Sequence, residues 1–226
     1  MIYLKEFNTA EEYAAFVESG QMIRPNVSLV NEPFTTYYNK YFTLGVFIQH
    51  VDGTLYTADE WSSNGLETKD ANGVAVISNE AQFVIATIKL QSATLRWASD
   101  TKNLIDGVFT TNNSANAIQD YRGRKNTEAM LAADTSEAAY MCANYIFPNG
   151  QSGYLPSLGE LYILNKHISE VNKALRSLGL SNVSFFWSST QYNSTHAWWY
   201  NSSMDLAKYE DKSRDYSTAV LPFTEL

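Results

Sequence analysis

The segment from Phe185 to Phe223 constrains the fold more than any other part of the chain. Between Phe185 and Tyr216 it carries nine aromatics, Trp187, Trp198 and Trp199 among them, interleaved with Ser, Asn, Thr, Asp and His. Large rings bring contact area at low entropic cost, and short polar side chains bring adaptable hydrogen bonds, so a surface built from both reads as a binding face. The competing reading is an aromatic-rich edge of an ordinary α+β domain, because large aromatic side chains are often mostly buried. Strand alternation sends every second residue outward while irregular loops carry the rest, so scaffold and contact residues can share one short stretch.

Composition removes several function classes. The 226 residues suffice for one large domain, or a medium domain with a small appendage. A net charge of −8 argues against a nucleic-acid or anionic-membrane surface, since phosphate binding rests on clustered Lys and Arg. Only Arg122-Gly-Arg124-Lys125 is basic at close spacing, and it reads as a solvated loop. No apolar run is long enough to cross a bilayer, so no membrane insertion is expected. The opening Met1-Ile-Tyr-Leu-Lys-Glu-Phe7 has neither a basic start nor an apolar signal core, and the expectation is a chain not addressed for export. The single Cys142 excludes an intrachain disulfide and reads as a small buried apolar residue. His50, His167 and His196 lie in unrelated contexts without metal-ligand spacing. Asp205, Glu210, Asp211 and Asp215 offer oxygen ligands for calcium but read as a scattered acidic face, so no metal and no cofactor are expected.

In chain order, residues 1–40 read as a strand-helix unit, with a capping box at Thr9 and Glu12 and a stop at Gly20. A unit of that size holds little core by itself and is taken as an attachment module. Residues 41–226 read as one α+β domain. Phe42–Gln49, Asp52-Gly53 and Thr54–Thr57 form a hairpin signal, and Val74–Ile77 and Gln82–Ile88 are further strand runs. The polar stretch Thr101–Lys125 reads as a long surface excursion. Helices are predicted near 136–146, capped by Thr135 with Ala139, Cys142, Ala143 and Ile146 inward, and near 158–178, opened by the Ser157/Glu160 capping box and stopped at Gly179.

Gly153-Tyr-Leu-Pro-Ser-Leu-Gly-Glu-Leu161, Phe186-Trp-Ser-Ser-Thr190 and Ala197-Trp198 together carry a resemblance. The chain resembles C-type-lectin-fold proteins of the formylglycine-generating-enzyme-like group, and more narrowly the variable proteins of diversity-generating retroelements in gut Bacteroidetes and their phages. The resemblance implies a mostly antiparallel sheet with two or three helices, in which the WSST and Ala-Trp elements are scaffold. It also implies a ligand-binding, variable region of about 187–222 whose positions are rewritten by adenine-directed mutagenesis. Trp199, Met204, Lys208, Glu210 and Lys212 fall outside the residue set that this scheme produces from Asn codons, so they are either fixed scaffold or evidence against the scheme. The Glu-Pro-Asn and Trp-Asn-Asp motifs of calcium-dependent lectins are absent, and a lone cysteine does not supply the cysteine pair of the enzymatic branch.

The expected function is therefore a non-enzymatic ligand-binding protein. His196, Trp199, Tyr200, Asn201, Ser203, Asp205, Tyr209, Asp211, Arg214, Asp215 and Tyr216 are the expected ligand-binding residues, mainly exposed and clustered on one face. Trp187 and Trp198 are expected to be buried. The expected setting is a phage tail-tip protein on the virion, with a host-surface protein or glycan as ligand and other virion subunits meeting the N-terminal module. The alternative is a bacterial cell-surface lectin-like adhesin.

Overall fold

The computed structural model describes residues 44–90, 95–99, 102–183, 185–202, 204–214 and 219–226. The chain divides into two units, residues 1–44 with Leu226 and residues 45–225, and the fold below is that of the second. The expected strand-helix unit of residues 1–40 lies outside the described residues.

The second unit is α+β with antiparallel sheets. It opens with a hairpin of β1 (Gly45–His50) and β2 (Leu55–Tyr56). The Asp-Gly signal is realised as expected: Gly53 takes φ +90°, and Asp52 Oδ1 accepts the Thr54 amide at 2.8 Å. Thr57 then closes a reciprocal capping box with Glu60 and starts α1 (Ala58–Ser63), which buries Trp61 and which the strand reading of 54–57 did not anticipate. A 3₁₀ turn, Thr68–Asp70, leads into β3 (Ala71–Ile77), and β4 (Gln82–Ile85) follows.

Strand β3 begins three residues earlier than the β-branched run suggests, because Asn72 and Gly73 lie inside it. Asn72 is fully buried and paired at both ends of its amide, its Nδ2 donating to Gln49 Oε1 at 2.6 Å and its Oδ1 accepting the Asn149 amide at 3.0 Å. A Cβ on Gly73 would stand 2.3 Å from the Ile85 carbonyl oxygen, so only glycine lets β3 approach β4 so closely.

Most of residues 102–125 are exposed, in keeping with a surface excursion, but the stretch is anchored by buried side chains and carries helical turns. Ile105 and Val108 are buried, Asn113 caps the single turn α2 (Ser114–Ala117), and α3 (Gly123–Ala132) begins at Gly123 with Asn126 and Thr127 inward. The next helix, α4 (Glu137–Ala143), is capped by Ser136 rather than Thr135. The Asn144 side chain closes it on the Tyr140 carbonyl at 2.9 Å, which leaves Ile146 outside the helix and 59% exposed instead of in the core. The predicted 158–178 helix is two, α5 (Leu158–Lys166) and α6 (Ile168–Ser177), broken at His167, with the Ser157/Glu160 capping box and the Gly179 stop as read.

Strands β5 (Phe185–Gln191), β6 (His196–Asn201) and β7 (Leu206–Asp211) form a three-stranded antiparallel sheet in that order. The final strand, β8 (Phe223–Thr224), returns to the first sheet, whose order is β2-β1-β3-β4-β8, with Phe223 opposite Ile85. The three-stranded sheet stands between two apolar clusters. Phe186, Trp198 and Tyr200 join the larger one with Val74, Phe83, Leu164 and Val171. Trp187 and Ala197 join the smaller one with Trp97, Met130 and Cys142, and Trp199 packs against it. Because successive residues of a strand point to opposite faces, a continuous aromatic run serves both clusters at once.

Replacing Gly73 with Ala should force β3 and β4 apart and cost at least about 2 kcal/mol, within the range for overpacked sites. Urea unfolding measures this, and a loss below about 0.5 kcal/mol would contradict the close approach.

Candidate functional site

Five consecutive residues, Trp187 to Gln191, are no more than 1% exposed, and four of them are polar. Buried polar groups require partners, and here nearly every neighbouring element supplies one. Ser188 Oγ donates to the Trp198 carbonyl at 2.8 Å, and the Ser188 carbonyl accepts Trp97 Nε1 at 2.6 Å. The Ser189 amide donates to the Pro156 carbonyl at 2.7 Å. Thr190 Oγ1 donates to Asp120 Oδ2 at 2.8 Å and accepts the Leu158 amide at 2.9 Å, so it also satisfies the first turn of α5. Gln191 Oε1 accepts Ile105 N and Lys212 Nζ, while its Nε2 donates to Thr110 Oγ1. Asp120 is itself 2% exposed and accepts from Asn126 Nδ2 at 2.8 Å and Arg122 Nε at 3.1 Å.

Beside this seam lies Glu160, buried in the α5 capping box. It accepts Ser157 N at 2.7 Å and Tyr154 OH at 3.1 Å. Burial pushes its carboxyl from 4.5 up to about 7, against the opposing effect of those hydrogen bonds. Ser157 Oγ has one proton and two acceptors in reach, Asp120 O at 2.5 Å and Glu160 Oε2 at 2.9 Å. A protonated Glu160 resolves that conflict by donating to Oγ.

The rim of the sheet is built differently. In the β5–β6 turn, Asn193 Oδ1 accepts Thr195 N, Thr195 Oγ1 and His196 N at 2.8, 3.0 and 2.8 Å. Tyr192 folds back over the sheet and stacks on Tyr209 of β7, ring centroids 4.0 Å apart and planes 16° from parallel. Trp198 meets this pair edge-on from below, 5.1 Å from Tyr192 and 6.0 Å from Tyr209, and His196 lies 5.7 Å from Tyr209. Lys212, just past β7, is fully buried over Trp97, with Nζ donating to the Asn103 and Ser194 carbonyls as well as to Gln191. Lys212 thus ties the rim to the frame.

The expected contact residues do not form one face. His196, Tyr209 and Asp211 share the face of the tyrosine stack, where Asp211 stands opposite His196 in the register. Asp211 accepts Ser213 Oγ and Ser213 N, and those bonds hold its carboxyl below the usual carboxylate range with help from His196. Trp199 and Asn201 point to the other face, and Lys208 Nζ lies 5.9 Å from the Trp199 ring. Tyr200 is 2% exposed and is core, not contact surface. Its hydroxyl donates to Asp205 Oδ1, which also accepts Asn165 Nδ2 at 2.6 Å. Asp205, with φ +49° in the β6–β7 turn, is therefore a tie between that turn and α5. Arg214 pairs with Glu210. Ser203, Asp215 and Tyr216 lie outside the described residues. Trp187 and Trp198 are buried as expected, at 1% and 3% exposure.

Sequence reasoning missed Tyr192, Gln191 and Asp120. Tyr192 was visible as an aromatic directly after the WSST strand, next to the Asn193-Ser-Thr195 turn signal. Asp120 sits in a polar stretch that offers no local clue. Cys142 is fully buried, and burial pushes its thiol well above its ordinary range. Among the described residues no group of three or more His, Cys, Asp or Glu is placed to hold a metal ion.

No protein-family model matches the chain, and no curated protein matches it. Among solved structures, it is similar to a fimbrial protein from Bacteroides ovatus, with a TM-score of 0.57 at 13% identity. The match covers 82% of this chain and 49% of that protein, so the chain spans about half its length. At that identity the likeness concerns the fold: an α+β arrangement with antiparallel sheets.

Two outcomes follow from this geometry. Because the folded pKa of Glu160 is raised, its contribution to stability is fully present below about pH 4.5 and is lost as pH rises through about 7, by on the order of 3 kcal/mol. Glu160→Gln keeps a capping acceptor and should remove that slope from unfolding free energies measured between pH 4.5 and 7.5; an unchanged slope contradicts the assignment. Truncating Trp187 or Trp198 to Ala should cost about 3–5 kcal/mol, whereas Tyr209→Ala, at a half-exposed site, should cost at most about 1.5 kcal/mol. Equal losses in chemical denaturation would erase the distinction between frame and rim.

Proposed function

We propose that residues 45–225 form a non-catalytic binding domain of a surface attachment protein, which touches its ligand with the rim made by the β5–β6 turn and β7. The observation that carries this reading is the contrast within one short segment. Trp187 to Gln191 are locked by buried hydrogen bonds, while Tyr192 and Tyr209 stack on the adjoining surface with Tyr209 50% exposed. A rigid strand that ends in a preorganised aromatic surface loses little entropy on binding. The hydroxyls of Ser188 and Thr190 are engaged in holding the fold, and the Cys142 thiol is buried and held in its neutral form, which supports binding without turnover.

The likeness to a fimbrial protein favours a cell-surface assembly over the phage tail tip as the setting. In that setting residues 1–40 join neighbouring subunits, and several copies on one assembly add avidity through effective concentration. A C-type-lectin-like topology and rewriting of the rim by a retroelement belong to the same proposal. They are supported by the place of the buried WSST element directly beneath a surface rich in Asn, Ser, Thr and Tyr. The ligand is a surface protein or glycan.

Beads carrying many copies of the full chain should adhere to at least one of a panel of bacterial and epithelial cells. The double variant Tyr192→Ala/Tyr209→Ala should lose that adhesion while keeping its cooperative melting transition, and Lys173→Ala, at the exposed Asp59 ion pair, should retain it. Adhesion unchanged by the double variant would move the binding face away from this rim.

A further inference from the structure

The tyrosine stack has a shape and a chemistry that select among ligands. Its two rings lie face to face with Tyr209 half exposed, the His196 imidazole stands edge-on to both, and Asp211 lies opposite His196 on the same face of the sheet. A pyranose presents the complement, with one face of C–H groups that packs on an aromatic ring and a rim of hydroxyls that donate and accept hydrogen bonds. Resting on the binding reading above, we infer that Tyr192 and Tyr209 form a stacking platform for a neutral pyranose of a surface glycan, bound without a metal ion.

Three observations favour a sugar over a polypeptide. First, a stable protein interface covers about 800 Å² per partner around an apolar centre. Among the described residues, the other large exposed apolar side chains near this sheet are Met204, just before β7, and Leu206, which points to the opposite face from Tyr209, so they build no such centre around the stack. Second, the platform is rigid before any ligand arrives. Trp198 supports both tyrosines from beneath and is fixed by Nε1 donating to the Thr111 carbonyl at 2.8 Å. The Tyr192 amide donates to the His196 carbonyl at 3.0 Å, and Asn193 Oδ1 organises the turn between them. Rigid stacking on one small platform suits a ligand of few contacts, where little binding energy is available to order the protein. Third, the charge at the platform is negative. Asp211, on the face of the stack, has its carboxyl held in the ionised form by Ser213, so a sugar carboxylate meets a like charge there while neutral hydroxyls find an acceptor. Stacking and these hydrogen bonds supply recognition with no bridging cation.

The full chain, coupled in many copies to beads, is tested on an array of neutral oligosaccharides, sialylated oligosaccharides and unglycosylated peptides, with and without EDTA. The inference predicts binding to neutral glycans, unaffected by EDTA, that falls at least about tenfold in Tyr209→Ala and stays within about threefold of the parent in Tyr209→Phe. Absence of binding to every neutral glycan, loss in EDTA, preference for sialylated glycans or peptides, or full binding by Tyr209→Ala would each overturn it. A companion assay on mildly periodate-treated cells separates this inference from the broader reading. Adhesion that survives periodate but not the loss of Tyr209 refutes the glycan and keeps the binding face, whereas adhesion indifferent to Tyr209 refutes both.

Discussion

The hydrogen bond from Thr190 Oγ1 to the buried carboxylate of Asp120 is the joint on which the rest of the second unit depends. Asp120 also receives Asn126 of α3 and Arg122, and its carbonyl receives Ser157 Oγ and Gly159 N of the α5 start. Thr190 in turn accepts the first amide of α5. One carboxylate and one hydroxyl thus fix two helices and a strand relative to each other. A carboxylate buried this deeply is tolerated only because neutral and cationic donors surround it, and removing one donor would leave a charge without solvent or partner. The polar seam specifies a single arrangement where apolar packing alone permits several.

From that joint the sheet acquires its division of labour. Strand β5 is held on both sides by polar bonds and on both faces by apolar clusters. Strand β6 inherits its register from β5 and sends Trp198 and Tyr200 to one cluster and Ala197 and Trp199 to the other. Among the described residues of this sheet, β7 faces solvent most openly and the β5–β6 turn is half-buried, with Tyr209 braced by Tyr192 and the strand's end tied down by buried Lys212. A rim attached in this way can change its exposed side chains with little effect on the frame. The residues that can change are fewer than the aromatic-rich sequence suggests, since Tyr200, Asp205 and Lys212 hold the rim in place.

Local signals were legible wherever a short motif decides a short structure. The Asp52-Gly53 turn, the Ser157/Glu160 capping box and the Gly179 stop were all readable from neighbouring residues, whereas the burial of Trp187 and Trp198 was expected from the resemblance. What was not legible depends on partners distant in sequence. Asp120 reads as a loop residue until Thr190 and Asn126 stand beside it, and Asn72-Gly73 reads as a turn signal until Gln49, Asn149 and the β4 backbone close around it. Tyr200 and Tyr209 are the same residue type in one polar and aromatic stretch. One lies in a central strand covered on its face by Tyr162 and α5, and the other lies in an edge strand, so only the strand order separates core from rim. Lys212 would be placed on the surface by its charge, yet two carbonyls, Gln191 and the Trp97 ring take the place of water around it.

Native-state amide hydrogen exchange tests the central claim, a locked frame carrying a separately exposed rim, most directly. The account predicts that the amides of Ser189, Gln191 and Thr111, which bond to the Pro156, Phe109 and Gln191 carbonyls, exchange only through global unfolding, with an opening free energy equal to that from urea denaturation. Amides of Met204 through Tyr209 should open at least about 2 kcal/mol more easily. Exchange of Ser189 and Gln191 through a local opening as easy as that of β7 would contradict the account.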